Sequence, residues 1–103
     1  MSAQSVPPFF PSRTELLLAR ARRAQQRGER RQAFVALREA TLIAETDPRL
    51  WALYGAACEK NNRLDEAERA FSQALYLRQR QHDVPRAIVL RRMIERLRVG
   101  SAA

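Results

Sequence analysis

From Trp51 to Ala74 the chain reads WALYGAACEKNNRLDEAERAFSQA. Read as two short helices folded back on one another, its large and small residues have separate jobs. Trp51 and Phe71 fill the space between helices, Tyr54 and Cys58 face the neighbours, and Gly55, Ala67 and Ala74 let backbones approach closely. These seven residues are the expected structural core, and they make the chain all-α.

The pattern recurs upstream. Ala67, Phe71 and Ala74 have counterparts Ala33, Leu37 and Ala40, each 34 residues earlier. Gly28 falls opposite Asn62 at the same offset, and both residue types accept a left-handed backbone at a helix end. The spacing W-x2-(L/Y)-G followed by A-x3-F, with this period, resembles the tetratricopeptide repeat family, antiparallel helix-turn-helix units stacked as an α-solenoid. The resemblance covers repeat one over 14–47 and repeat two over 48–81. It departs from the family pattern at Tyr54, where leucine is usual, at Cys58, where tyrosine is usual, and at Gln79, where proline is common. In the first copy Leu17 stands where the tryptophan would be.

In chain order, residues 1–11 hold Pro7, Pro8 and Pro11, which oppose helix, with Phe9 and Phe10 as the bulk, and are expected to be an extended or disordered arm. A single domain follows over 12–99. Ser12 with Glu15 has the spacing of a capping box, so the first helix starts there and runs to about Arg27. Leu17, Ala21 and Ala24 are expected to face the second helix, and Arg13, Arg20 and Arg27 to form an outward stripe. The second helix runs from about Arg30 to Ile43 or Ala44. Asp47 as cap with Pro48 as first helical residue opens the third, which ends near Asn61. Asp65 is expected to cap the fourth helix, with Glu68 three residues on and Arg69 as ion partner, and the helix to continue to about Gln81. After a break at His82 to Pro85, capped by Asp83, a fifth helix is expected over 84–98. Ala87, Leu90, Met93, Ile94 and Leu97 form its apolar face and Arg86, Arg91, Arg92, Glu95 and Arg96 the remainder. It lacks the repeat signature and reads as the helix that closes the stack, polar outside. Residues 100–103 are expected to fray.

Composition sets limits. With 103 residues and 46% hydrophobic content, the chain suits one small core. No run approaches the ~20 apolar residues of a bilayer span, and the start lacks the features of a secretory signal, so a cytoplasmic location is expected. The one cysteine cannot form an internal disulfide.

Little here suggests catalysis. Ser12, Ser72 and His82 form no recognisable triad, and CxxC, HExxH and glycine-rich phosphate loops are missing. Cys58 reads as a packed thiol, His82 as a solvated turn residue, and the acids at 65, 66 and 68 as complements to a helix start. The expectation is a noncatalytic protein with no cofactor and no metal.

A binding surface is the better prospect. The family resemblance implies that the first helix of each repeat lines a concave face. By register that face comprises Glu15, Leu18, Arg22 and Gln25, then Arg49, Ala52, Ala56 and Glu59. Leu18, Ala52 and Ala56 would be a shallow apolar floor, with Arg22 and Arg49 holding carboxylates at its rim. The implied partner is an acidic, partly apolar protein segment, with a second copy of the chain as another candidate. Lysines and asparagines like those with which some relatives grip a C-terminal carboxylate are missing. Charge supplies an alternative. The net charge is +8; residues 1–32 carry seven arginines against two glutamates, 33–77 five basic against seven acidic residues, and 78–103 seven arginines against two acids. Basic ends suit nucleic acid or an anionic membrane, but no interleaved aromatics stand ready to stack on bases.

Overall fold

Helix starts explain most of the architecture. In the computed structural model, which describes residues 10–102, the capping box forms as the spacing requires. The Glu15 amide donates to Ser12 Oγ at 3.1 Å, and the Ser12 amide donates to the Glu15 carboxylate at 2.8 Å. Helix α1 (Arg13–Gln26) follows, then α2 (Arg30–Ile43), α3 (Pro48–Lys60), α4 (Leu64–Arg80) and α5 (Val84–Ala102). Asp47 opens α3 by accepting the Arg49 amide at 3.0 Å, with Pro48 first in the helix. Asp83 opens α5 by accepting the Arg86 amide at 3.3 Å. Among the described residues the chain is all-α, and each helix packs on its neighbours in sequence, as in a stack of helical hairpins.

Three turns share one geometry. Gly28, Asn62 and His82 have φ of 73°, 59° and 58°, the left-handed region. In each, the next amide reaches back to the carbonyl five residues before: Glu29 to Ala24 at 2.8 Å, Arg63 to Cys58 at 2.9 Å and Asp83 to Arg78 at 2.9 Å. The left-handed residue itself donates to the carbonyl three before. This double bond is the Schellman ending, which satisfies carbonyls that the helix leaves open. The first two turns lie 34 residues apart, as do the ends of α1 and α3 and the starts of α2 and α4. His82 takes the same conformation with a side chain that usually avoids it, which residue type did not reveal.

Two boundaries differ from expectation. Asp65 does not cap α4. The Schellman turn places Arg63 at the cap position with no side-chain cap bond, so the helix starts at Leu64 and leaves Asp65 and Glu66 inside the first turn. There they act on the helix dipole. Among the described residues Arg69 does not pair with Asp65; Arg63 pairs with Glu66 instead, at 3.0 Å. Helix α5 does not stop near Arg98 but continues through Gly100 to Ala102. The arm expected over 1–11 lies, apart from Phe10 and Pro11, outside the described residues, as does Ala103.

The core runs through all five helices. Phe34, Leu37, Leu50, Cys58, Ala67, Phe71 and Ala74 are almost wholly sealed from water. An added Cβ on Gly55 would sit 2.7 Å from two carbons of the Phe71 ring, so glycine is required for α3 and α4 to approach this closely. Trp51, expected as core, is only half-buried. It packs against the edge of the core while its indole N–H donates to the Glu45 carbonyl at 2.7 Å, and the neighbouring Leu50 takes the deep position. The ring therefore fastens the α2–α3 connection instead of filling the space between helices.

Candidate interaction surface

The two stripes expected to bind a partner lie on α1 and α3, spaced three, four and three residues apart, so each occupies one face of its helix. On α3, Arg49 is exposed with its guanidinium 3.5 Å from Asp47, and Ala52 and Ala56 are half-buried. Glu59 is held at 3.2 Å through both carboxylate oxygens by Arg96 of α5. That stripe therefore ends in an ion pair to the closing helix. On α1, Arg22 and Gln25 are exposed, while Glu15 is spent on the capping box. Leu18 corrects the expectation: it is 5% exposed and belongs to the core with Leu17 and Ala21. Two adjacent leucines both turn inward here, so the apolar floor reduces to Ala52 and Ala56 and the surface is more polar than its sequence suggests.

Of the stripe residues only Gln25 borders a cleft. A cleft of about 290 Å3 is lined by Gln25, Gly28, Arg30 and Ala33 from the first hairpin and by Ala57, Lys60 and Asn61 from α3. The Asn61 amide bridges it, donating to the Arg30 carbonyl at 3.1 Å and the Ala57 carbonyl at 2.8 Å. Around this end stand Arg20, Arg22, Arg23, Arg27, Arg30 and Arg31, all exposed. None of the six enters an ion pair among the described residues. Arg13, exposed like Arg20 and Arg27, does: it reaches Glu39 on α2.

A second cluster, between hairpins, was not read from the sequence. The rings of Phe34 and Tyr54 stack at 5.5 Å, and the Arg63 guanidinium lies 4.8 Å from the centre of the Phe34 ring. The Tyr54 hydroxyl donates to the Glu66 carboxylate at 2.8 Å, and Arg63 holds the other carboxylate oxygen at 3.0 Å. Burial, and then the bond to Glu66, pushes the Tyr54 phenol above its usual range. The Tyr54 hydroxyl and then Arg63 hold the Glu66 carboxyl below its usual range. Cys58, beneath them and fully enclosed, is pushed up by burial. Helical spacing had carried the signal, since Phe34, Leu37 and Thr41 fall three and four apart and are all buried.

The structure places the other expected core residues together: Tyr54, Gly55, Cys58, Ala67, Phe71 and Ala74 are all buried. Among the described residues no three His, Cys, Asp or Glu side chains gather as a metal set, and no helix is long and apolar enough to cross a membrane. Scanned against protein-family models the chain matches none, and a search of curated proteins finds no significant relative.

Proposed function

We propose that this small helical domain is a noncatalytic protein-interaction module of tetratricopeptide type, an adaptor or chaperone-like subunit working in the cytoplasm. Its partner is an acidic segment of another protein, laid along the α1 and α3 stripes with Arg22 and Arg49 as carboxylate contacts and Ala52 and Ala56 beneath. The observation that carries the reading is the cluster of six exposed arginines between Arg20 and Arg31, Arg22 among them, without ion partners among the described residues. Three other arginines are paired across helices, Arg13 with Glu39, Arg96 with Glu59 and Arg98 with Glu68. Guanidinium groups left open favour carboxylate or phosphate oxygens.

Nucleic acid is the competing occupant, because the same arginines suit a phosphate backbone. Salt separates the two: a complex held mainly by phosphates loses roughly 10³-fold or more in affinity between 50 and 200 mM salt, whereas docking of a partly apolar segment weakens less. The direct test is to isolate a partner from native lysate and titrate it against Arg22→Glu with Arg49→Glu, and separately against Arg20→Glu with Arg27→Glu. Loss of binding in the first pair with retention in the second supports the proposal. The reverse pattern places the site on the outward side of α1 and overturns it.

A further inference from the structure

The outer side of α5 is not the wholly polar surface that a closing helix presents. Ala87, Leu90, Ile94 and Leu97 point into the stack, and Ile88, Arg92, Glu95 and Val99 are exposed on the outer side. Ile88 is 40% and Val99 70% exposed. The buried face sets the rotation of the helix, and ion pairs flank it on two sides: Arg96 bonds Glu59 of α3 at 3.2 Å and Arg98 bonds Glu68 of α4 at 3.0 Å. Three arginines of α5 thus find acids within the chain, Arg86 being the third. Arg92 and Glu95 form no ion pair among the described residues, although they stand one helical turn apart.

The order and spacing of these four residues are self-complementary. Steps of four, three and four are the seam spacing of paired helices. Reversed and laid against itself, the seam sets Ile88 opposite Val99 of the second helix, Arg92 opposite Glu95, and the same two contacts again by symmetry. A parallel arrangement would instead set arginine on arginine and glutamate on glutamate, so charge selects the antiparallel one. A surface that fits its own copy through a twofold axis is the commonest route to a homodimer. We infer that the outer face of α5 docks on the same face of a second copy of this chain, antiparallel, with two Arg92–Glu95 ion pairs between two Ile88–Val99 contacts. One helix per subunit makes a contact smaller than the ~1,200 Å2 of stable complexes, so the dimer is weak and dependent on concentration. It uses a different helix from the α1 and α3 stripes and leaves them free.

The test is sedimentation equilibrium of the full 103-residue chain, from about 10 μM to about 1 mM in low salt, where ion pairs are least screened. The variants are Arg92→Glu, Glu95→Arg and the two together, at positions exposed enough to leave the fold intact, checked by circular dichroism. Each single reversal sets like charges opposite each other and is expected to weaken the dimer at least about tenfold, and the exchange of both is expected to restore it to within about threefold. A wild-type chain that stays monomeric throughout overturns the inference. So does a dimer indifferent to the single reversals, or one that the double exchange fails to restore.

Discussion

The two hairpins share a frame and differ in what fills it. Helices α1–α2 and α3–α4 keep a 34-residue offset in their turns and in the start of the second helix. Where the second hairpin has Gly55 against Phe71, the first has Ala21 and Leu37 at the corresponding positions, both buried. A larger residue on one helix is matched by a smaller one on the other, so the total volume is kept and the backbone can repeat without repeating its side chains. A second pair shows where repetition must fail. Tyr54 is buried against Phe34, which belongs to the preceding hairpin, whereas its counterpart Arg20 meets no aromatic ring among the described residues and is exposed. At these matched positions the residue that a neighbouring hairpin covers is aromatic, and the one that meets water is charged.

The largest effect expected from this contrast is in the core. Phe71→Ala empties a ring-sized space and should cost about 3–5 kcal/mol, a large part of the stability of a domain this size, and more than Leu37→Ala at the matching site. Chemical denaturation of both variants checks the order. Equal losses would mean that the hairpins pack alike despite the different residues.

A smaller effect separates the Tyr54 cluster from the first hairpin, which has no equivalent. Removing the hydroxyl with Tyr54→Phe should cost about 1–3 kcal/mol at neutral pH, since the bond is to a charged carboxylate. Glu66 has its folded-state pKa below its unfolded value, so its contribution is present above the unfolded pKa and is lost as pH falls through the folded one. Without the hydroxyl that depression shrinks. The difference in stability between Tyr54→Phe and the parent protein should therefore narrow as the pH is lowered below about 4. A difference that stays constant from pH 7 to pH 3 would show that the hydroxyl bond does not depend on the Glu66 charge.

Much of this frame was legible in the sequence because it rests on local rules. Ser12 with Glu15, Asp47 with Pro48, and the paired Gly28 and Asn62 fix helix ends through hydrogen bonds within a few residues. The start of α4 differs because the backbone turn before it decides the register, leaving Asp65 two positions past the cap. Depth was harder. Leu50 outranks Trp51 because helix rotation, set by contacts with α2 and α4, chooses which of two adjacent apolar residues points inward. The same rotation buries Leu18 and thins the expected binding floor. Ile88 and Val99 escaped notice because the inward face of α5 alone accounts for a closing helix, and their exposure depends on which side of it meets α4.

Compensation between the matched pairs is measured by one double-mutant cycle. Gly55→Ala and Phe71→Leu convert the second hairpin's pair into that of the first. Alone, the added methyl has 2.7 Å to the Phe71 ring and should destabilise by about 1–3 kcal/mol, and the shortened ring should leave a cavity. Together they should cost at least about 1 kcal/mol less than the sum of the singles. Losses that add to within about 0.5 kcal/mol would contradict the account, since the two positions would then be filling independent spaces.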